Sequence, residues 1–355
     1  MNKTELRKFW KNKKVLITGH NGFKGSWLSI LLNELGAKVN GISLKPKSNI
    51  NLFEKANISK ISKSYYLDLK KINDTKNKIK KIQPDIVFHL AAQSLVGEGF
   101  KNPKYTFENN IITTLNVLES LRVAPNVKAA IIVTTDKVYD NSLNKNFIES
   151  DHLKSNSPYA LSKIISENIC NSYRENFLNN TDLNFGTVRS GNVIGGGDWS
   201  SHRIIPDIIK AWRSKKKLSL RMPHGVRPWV HVLEPLFGYI FYAEKLFKNS
   251  FKHYTYNFGP PSSSIKSVID IVENSKKILT ELKYSKEENI HYNEKKFLMI
   301  NSTLAKKYLG YKHIWNFKKT ILETVKWYES FYAGQSAYNL CVKNINDFFA
   351  QYKDK

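Results

Sequence analysis

The chain has 355 residues, of which 41% are hydrophobic and 12% aromatic, a composition typical of a globular protein with one large or two interlocked domains. Its 56 Lys and Arg residues outnumber its 30 Asp and Glu residues and give a formal net charge of +26. The lysines are scattered rather than grouped on one element, so we expect a solvated coat that attracts an anionic substrate and no nucleic-acid binding.

Targeting and redox features indicate the cytoplasm. The basic residues 1–14 are followed by no apolar run, so a signal peptide is not expected. No apolar stretch approaches the ~20 residues that cross a bilayer. Cys170 and Cys341 are too few and too far apart for a disulfide framework or a metal site. We therefore predict a cytoplasmic protein with no metal and no membrane partner.

The first predicted element is a buried parallel strand over residues 15–18, which leads directly into a glycine-rich turn. The glycines recur as Gly19-x-x-Gly22-x-x-Gly25, and a helix over residues 27–35 follows. This order lets phosphate approach the backbone at a helix N-terminus, as in dinucleotide-binding folds. The predicted cofactor ligands of the turn are Gly19, Asn21, Gly22, Phe23, Lys24 and Gly25.

A second predicted strand, over residues 39–44, completes a βαβ unit. The residue after this strand indicates which cofactor is bound, because an acid binds the ribose 2′-OH of NAD and a base tolerates the 2′-phosphate of NADP. The chain has Lys45 and Lys47 there and no acid, which favours NADP. The same lysines also fit an ordinary solvated surface in a lysine-rich chain.

The next strands bring further residues to the carboxyl edge of the sheet, where open α/β sheets bind ligands. A third strand ends near Asp68 and Leu69, which we predict to hold the adenine. A fourth strand over residues 85–90 ends in small residues that let a cofactor lie close to the backbone, and a helix over 107–121 follows. The cofactor ligands predicted from these two elements are Ala91, Ala92, Gln93 and Asn110.

A fifth predicted strand, over residues 129–133, delivers Thr134-Thr135-Asp136-Lys137 to the same edge. A helix then begins at Pro158, a residue suited to a first helical turn. Tyr159 and Lys163 are spaced i, i+4 and share one face of that helix. An ammonium beside a phenol favours the phenolate, so the pair suits removal of a proton from an alcohol while hydride leaves the same carbon. Such a pair also occurs by chance on many helices.

The later chain is less regular. A sixth strand over residues 183–189 precedes a glycine-rich loop over 191–199, after which the alternation of strands and helices weakens. Arginines follow in this stretch. They suit phosphate binding through paired hydrogen-bond donors, and they equally suit ordinary ion pairs at the surface. They are Arg203, Arg221 and Arg227, and His231 lies beside them.

We therefore predict an α/β fold, a Rossmann-type doubly wound parallel sheet with a smaller C-terminal substrate-binding cap. The predicted dinucleotide-binding domain covers residues 1–190, with 232–262 returning to it. The predicted nucleotide-sugar-binding cap covers residues 191–231 and 263–355.

The order of the motifs resembles that of the extended short-chain dehydrogenase/reductase family. The motifs are GHNGFKG, TTDKVY, YALSK, GNVIGGGDW and RPWVHVLEP, and they run from about residue 13 to about residue 330. The last two are the most specific and are most similar to the nucleotide-sugar 4,6-dehydratases, in particular the branch that uses CDP-glucose. The resemblance implies NAD as the cofactor, with NADP left open by Lys45, and nucleotide-diphosphate binding by Asn192, Arg203 and Arg227.

The resemblance also implies a homodimer or homotetramer paired through the helix that begins near Tyr159. Leu161, Ile165 and Ile169 form an apolar stripe there, and the same stripe could serve the internal core.

The chemistry that the resemblance implies is an internal redox elimination that regenerates the cofactor in each turnover. Tyr159, with Lys163 beside it, removes the proton of the glucose 4-OH as hydride leaves C4, and Thr135 hydrogen-bonds that oxygen. Lys137 as a neutral amine removes the C5 proton, Asp136 protonates the departing 6-OH, and hydride returns to C6. The implied product is a 4-keto-6-deoxy sugar.

Other functions share parts of this pattern. A dehydratase for a GDP- or UDP-sugar would need the same residues. A 4-epimerase or a simple oxidoreductase would need the triad of Thr135, Tyr159 and Lys163 and the glycine turn, but not an acid and a base at positions 136 and 137. A catalytically silent nucleotide-sugar binder would have no use for intact Thr135, Tyr159 and Lys163.

Overall fold

A sheet of parallel strands runs through the centre of the structure, a computed structural model that describes residues 3–46, 48, 50–143, 145–179, 181–220, 222–286 and 298–353. The strands of these ranges are β1 (Lys14–Thr18), β2 (Lys38–Ser43), β3 (Ser62–Tyr66), β4 (Ile86–His89), β5 (Ala129–Val133), β6 (Asn146–Phe147), β7 (Asn184–Ser190), β8 (Asn192–Ile194), β9 (Leu218–Leu220), β10 (Val226–His231), β11 (Thr255–Phe258), β12 (Ile265–Ser267), β13 (Tyr284–Lys286) and β14 (Met299–Ile300).

Helices cover both faces of this sheet. They are α1 (Lys3–Trp10), α2 (Phe23–Glu34), α3 (Leu52–Lys55), α4 (Ile72–Ile82), α5 (Val96–Lys101), α6 (Pro103–Phe107), α7 (Thr113–Leu121), α8 (Pro158–Asn176), α9 (Ile204–Arg213), α10 (Leu233–Phe247), α11 (Val268–Lys276), α12 (Thr303–Leu309), α13 (Phe317–Tyr332) and α14 (Ala337–Lys353). Among the described residues, every helix is too short or too polar to span a bilayer.

The central sheet has seven strands in the order β3-β2-β1-β4-β5-β7-β11, and all neighbouring pairs are parallel. The chain order runs outward from β1 in both directions, which is the doubly wound topology. The predicted Rossmann-type α/β fold is therefore confirmed. The switch point lies at the carboxyl ends of β1 and β4, where open sheets of this kind bind ligands.

The central strands β1, β4 and β5 form where the sequence has short continuous apolar runs. Val15, Leu16 and Ile17 of β1 are fully buried because helices cover the sheet on both faces. β1 lies between β2 and β4 with Val15 opposite Val39 and Ile86. The predicted first, second, fourth, fifth and sixth strands match β1, β2, β4, β5 and β7 to within a residue or two at their ends.

The predicted helix over 107–121 is interrupted. α6 ends at Phe107, a π-helical turn covers Glu108–Ile112, and α7 begins at Thr113. A π-turn adds a residue to a helix and re-aims the side chains around it, and such turns are frequent at functional sites. This one contains Asn110.

The chain returns to the central sheet after the less regular stretch. α10 packs on β5 and β7, and β11 pairs with β7 at the edge of the sheet. Smaller sheets lie outside it: β8, β10 and β12 form one, while β9 pairs with β13 and β6 with β14. β8 begins two residues after β7 ends, so the small sheet starts beside the carboxyl edge of the large one.

The last helix contacts the first half of the chain. In α14, the Tyr338 hydroxyl bonds Asn33 and Glu34 at the end of α2, and Phe349 packs on Phe237 of α10. The predicted division into a dinucleotide-binding domain and a cap stays a prediction.

Candidate active site

The glycine turn connects β1 to α2 by a path that side chains would block. Gly19 has a φ of +74°, and a Cβ added to it would lie 2.7 Å from the backbone nitrogen of Ala91. A Cβ on Gly25 would lie 2.2 Å from the carbonyl oxygen of Gly19. Gly22 N–H donates to that same carbonyl at 3.0 Å. The glycines therefore let the start of α2 and the end of β4 approach each other closely, which leaves the N-terminus of α2 at the sheet edge.

The far end of the turn is lined by hydroxyl groups. His20 Nδ1 lies 2.7 Å from Ser43 Oγ, and His20 Nε2 lies 2.9 Å from Ser64 Oγ. Burial lowers the pKa of His20 to about 4, so the ring is neutral at pH 7. Asn21 Nδ2 donates to the Leu44 carbonyl at 2.6 Å, while Lys45 is exposed. Sequence reasoning missed His20, and its position between the first two glycines is the signal that could have found it.

The other predicted cofactor ligands lie along the carboxyl ends of the sheet. Asp68 and Leu69 follow β3 and begin a turn in which Asp68 Oδ1 accepts from Lys70 N–H at 3.0 Å. Ala91 and Ala92 follow β4 and are half-buried.

Asn110 ties the end of β4 to α8. Its Oδ1 accepts from Gln93 N–H at 2.8 Å, and its Nδ2 donates to the Gln93 carbonyl at 3.0 Å and to Ser162 Oγ at 2.8 Å. The π-turn places this side chain in the core of the protein, where it is fully buried.

The structure brings Thr135, Tyr159 and Lys163 together. Pro158 occupies the first turn of α8, and Ser157 Oγ caps the helix by accepting from Ala160 N–H at 3.2 Å. Tyr159 and Thr135 are hydrogen-bonded, and Lys163 Nζ donates to the Val133 carbonyl at 3.1 Å. The three side chains are buried against the end of β5.

Burial dominates the electrostatics of this group. It raises the pKa of Tyr159 to about 12, while the hydrogen bond to Thr135 and the charge of Arg203 act in the opposite direction. Burial also lowers the pKa of Lys163 to about 8. That the Lys163 ammonium favours the Tyr159 phenolate stays a prediction. In the polypeptide alone, the Lys163 ammonium is directed at the Val133 carbonyl, and desolvation disfavours the charged forms of both side chains.

Asp136 is a buried carboxyl with one oxygen left unpaired. Its Oδ1 accepts from Thr135 Oγ1 at 3.1 Å, and its Oδ2 has no hydrogen-bond partner among the described residues. A Cβ added to Gly191 would lie 2.9 Å from that Oδ2. Burial raises the pKa of Asp136, and the charges of Lys137, Lys24 and Arg227 and the Thr135 hydroxyl oppose the rise. A carboxyl in this state can hold a proton and donate it.

Lys137 follows Asp136 on a single 3₁₀ turn over Asp136–Val138. Thr135 Oγ1 accepts from the Lys137 N–H at 3.3 Å, which caps the turn, and the Lys137 side chain is half-buried. An acid and an amine thus lie next to the triad.

Arginines approach the same site from the small sheet and from α9. Arg203 precedes α9 and donates to Asp198 Oδ2 at 2.9 Å, and its charge acts on Tyr159. Arg227 lies on β10, and its charge acts on Asp136. Asn192 lies on β8, which pairs with β10. Arg221 and Lys47 lie outside the described residues.

His231 is placed differently from its prediction as a substrate ligand. Its ring is fully buried and packs on Trp27 and Trp315 at centroid distances of 5.7 and 4.5 Å. Burial lowers the pKa of His231 to about 3. Arg227 and His231 are four residues apart on β10 and therefore share one face of the strand, so it is the packing on Trp27 and Trp315 that fixes the His231 ring in the core.

Lys24 also departs from its prediction as a ligand of the cofactor turn. Its side chain leaves the turn, and Nζ donates to Ser190 Oγ at 2.7 Å, at the carboxyl end of β7. Phe23 is half-buried and packs near Gly195 of the glycine-rich loop. Among the described residues, no group of three or more His, Cys, Asp or Glu side chains is placed to share a metal ion.

A buried polar network behind the triad was missed by sequence reasoning. Glu167 accepts from Thr134 Oγ1 at 2.6 Å and from Arg189 Nε at 2.9 Å, and Arg189 also donates to the Tyr139 hydroxyl at 2.6 Å. Glu167 is one helical turn beyond Lys163, and that i, i+4 spacing is the available signal. The network joins the end of β5, α8 and β7, and it includes Thr134, the neighbour of Thr135.

The chain is similar to known proteins over most of its length. A family model described as the NAD dependent epimerase/dehydratase family matches residues 15–259. A CDP-glucose 4,6-dehydratase from Salmonella typhimurium is 34% identical over 355 residues, which cover 97% of this chain and 98% of that protein. A UDP-glucose 4-epimerase from Mycoplasma genitalium is 26% identical over 341 residues, which cover 90% of this chain and 97% of that protein.

Solved structures share the fold at lower sequence identity. An epimerase from Methanothermobacter thermautotrophicus superposes with a TM-score of 0.78 at 20% identity, over 93% of this chain and 96% of that one. An NAD dependent NDP-hexosamine 5,6-dehydratase of tunicamycin biosynthesis superposes with a TM-score of 0.75 at 20% identity, over 89% of this chain and 97% of that one. These likenesses establish the α/β architecture.

Proposed function

The chain belongs to the NAD-dependent epimerase/dehydratase family, and from that premise we propose that it is a nucleotide-sugar 4,6-dehydratase that converts CDP-glucose to CDP-4-keto-6-deoxyglucose. The observation that carries the proposal is the buried Asp136, with an unpaired oxygen, next to Thr135 and Tyr159. A reaction that only moves hydride and an alcohol proton has no use for this second acid. The whole-length relative that acts on CDP-glucose supports the same substrate.

NAD is the cofactor of the family. The glycine turn fits it, because Cβ atoms at Gly19 and Gly25 would collide with the backbone of Ala91 and of Gly19, and the close path that these glycines permit leaves the N-terminus of α2 at the sheet edge, where a diphosphate can bind. We propose that this turn, Asp68, Leu69, the segment 91–93 and Asn110 hold the dinucleotide. Bound there, NAD supplies the hydride acceptor and donor, and its positive ring favours the Tyr159 phenolate.

Tyr159 and Thr135 act on the sugar 4-OH. The phenol takes the proton of this hydroxyl, and Thr135 holds the same oxygen through its own hydroxyl. Because burial raises the pKa of Tyr159 to about 12, the nearby cations are needed to make it a base at neutral pH. Lys163 holds its position through the Val133 carbonyl and orients the helix turn that carries Tyr159.

Asp136 and Lys137 act at C5 and C6 of the sugar. Lys137 removes the C5 proton, which a 4-ketone makes acidic, and Asp136 protonates the oxygen that leaves C6. The buried, unpaired Oδ2 of Asp136 suits the second role, because burial favours its protonated form. We propose that Arg203, Arg227 and Asn192 hold the nucleotide diphosphate, since guanidinium groups bind phosphate through paired donors.

A homodimer or homotetramer is part of the proposal. Leu161 is 37% exposed and Ile165 half-buried on α8, and Phe100 of the neighbouring α5 is 65% exposed. Ile169, from the same predicted stripe, packs against the internal core instead. Light scattering of the protein and of Ile165→Lys tests this face, and a wild-type monomer would refute it.

We also propose a cytoplasmic location. Both cysteines, Cys170 and Cys341, are free and buried, which suits a reducing compartment. Fractionation of the source cells, followed by immunoblotting, tests it.

The experiment that tests the function is a substrate panel. CDP-, UDP- and GDP-hexoses are each incubated with NAD or NADP, and a 4-keto chromophore is read in alkali. We expect the chromophore with CDP-glucose and NAD, without accumulation of reduced cofactor. The variant Asp136→Asn/Lys137→Met should lose dehydration and retain binding of NAD. Formation of a 4-epimer instead, or normal dehydration by the double variant, would contradict the proposal.

A further inference from the structure

Lys24 is a cation in the cofactor turn, and its charge acts on the carboxyl of Asp136. It is the second residue of α2, and its Nζ donates to Ser190 Oγ at 2.7 Å. Ser190 Oγ lies 3.0 Å from the hydroxyl of Tyr239, and both of these residues are buried. The ammonium is therefore anchored at the end of β7 by Ser190, whose hydroxyl also contacts that of Tyr239.

The unpaired oxygen of Asp136 faces the same corner. Its Oδ2 lies against Gly191, the residue that follows Ser190. The charges of Lys24 and Asp136 act on each other, since Asp136 is the largest charged influence that keeps Lys24 protonated. Titratable and charged groups reach Asp136 from every element around it. They are Lys137 on its own turn, Lys24 from α2, Tyr159 from α8, Arg227 from β10 and Tyr239 from α10.

We propose that Lys24 is a positioning residue for the dehydration step: anchored by Ser190, its ammonium sets how readily Asp136 gives up its proton. This inference rests on the proposed function, in which Asp136 is the acid. A buried carboxyl with no cation nearby holds its proton too firmly to donate it well, whereas too much positive charge leaves it ionised before the step. Lys24 lies in the first turn of α2 and its Nζ is held by Ser190, so the place of its charge is set by the fold.

The anchor distinguishes this role from a phosphate contact. The backbone N–H groups at the start of α2 are the donors that a diphosphate at the turn would use. Lys24 instead donates to a side chain across the sheet edge, 166 residues further along the chain.

The first test is a titration that needs neither substrate nor cofactor. The infrared band of the protonated Asp136 carboxyl is isolated by subtracting the spectrum of Asp136→Asn. The intensity of this band is recorded against pH, and the midpoint of its titration is compared between wild type, Lys24→Met, Lys24→Arg and the control Lys104→Met. The Lys104 side chain, on α6, is 88% exposed. We expect Lys24→Met to move the midpoint upward by about one pH unit, because loss of a nearby cation disfavours the carboxylate. Lys24→Arg and Lys104→Met should leave it in place.

The proposal is overturned if the titration midpoint is the same in Lys24→Met and wild type, provided that thermal unfolding curves show both proteins to be folded. This outcome is separate from failure of the proposed function, since the titration stands whether or not the protein dehydrates CDP-glucose.

The second test uses the reaction and the cofactor. Asp136 must be protonated to act, so the alkaline limb of kcat marks its ionisation and should move to higher pH in Lys24→Met. The dissociation constant of NAD should stay near that of wild type. A large rise in that constant with an unmoved alkaline limb would make Lys24 a cofactor ligand and refute the inference.

Discussion

Removal of Arg189 should destabilise the protein strongly, because it leaves a buried charge without its partner. Arg189 donates to Glu167 through Nε at 2.9 and 3.2 Å and through a terminal nitrogen at 2.5 Å, and it also donates to the Tyr139 hydroxyl and the Glu149 carbonyl. The side chains of Arg189 and Glu167 are only 5% and 3% exposed. In Arg189→Met, Glu167 would keep the hydrogen bond from Thr134 and lose its charged partner.

The expected loss in the free energy of unfolding is about 3–5 kcal/mol, the cost of breaking a buried ion pair from one side. Conversion of Glu167 to glutamine in the same chain removes the uncompensated charge. The double variant Arg189→Met/Glu167→Gln should therefore be more stable than Arg189→Met alone.

Urea unfolding followed by circular dichroism measures both effects. The matched control is Lys248→Met, which breaks an i, i+4 pair with Glu244 in which the Lys248 side chain is 53% exposed, and such surface pairs contribute little. The reasoning is refuted if Arg189→Met is no less stable than Lys248→Met, or if the double variant is less stable than Arg189→Met.

Three further predictions concern the turn, the base and pH. Tyr159→Phe should lower kcat for dehydration by about 10²–10⁴-fold and leave NAD binding intact, because it removes the proton acceptor alone; a rate near wild type in a steady-state assay would contradict this. Gly25→Ala should abolish NAD binding in an equilibrium titration, since its Cβ would lie 2.2 Å from a backbone oxygen, whereas the control Gly97→Ala meets nothing within 4 Å and should bind normally. Three buried histidines have pKa values of about 3 or 4 when folded, below the unfolded value of 6.5, and they are His20, His89 and His231. Their contribution to stability is complete above pH 6.5 and is lost as the pH falls toward 4. Urea unfolding should therefore give a lower free energy of unfolding at about pH 5 than at about pH 7, and equal values would refute the prediction.

The fold was predictable where local sequence and tertiary packing agree. The short apolar runs of β1, β4 and β5 predict strands that are buried on both faces of a parallel sheet, and the structure has such strands. Gly19 and Gly25 were predictable for a similar reason, because their spacing between a strand and a helix has a single geometric use. The proximity of Tyr159 to Thr135 was predictable because the end of β5 and the start of α8 meet at one edge of the sheet.

Side-chain direction was not predictable. Lys24 has a long flexible chain, and nothing near it in sequence indicates that it ends at Ser190. His231 stands near Arg227 in the sequence and on the same face of β10, yet Trp27 of a distant helix and Trp315 of a distant loop hold its ring in the core. The pairing of Glu167 with Arg189 joins a helix to a strand, so it depends on the packing of α8 on the sheet.

The most direct test of the proposed function is the fate of the hydrogen on C4 of the sugar. CDP-glucose carrying deuterium at C4 is incubated with the protein and NAD, and the product is analysed by NMR and mass spectrometry. The proposal predicts a 4-keto-6-deoxy product with deuterium in its C6 methyl group. Deuterium retained at C4 of an epimerised hexose, or accumulated in reduced cofactor with C6 unchanged, would contradict it.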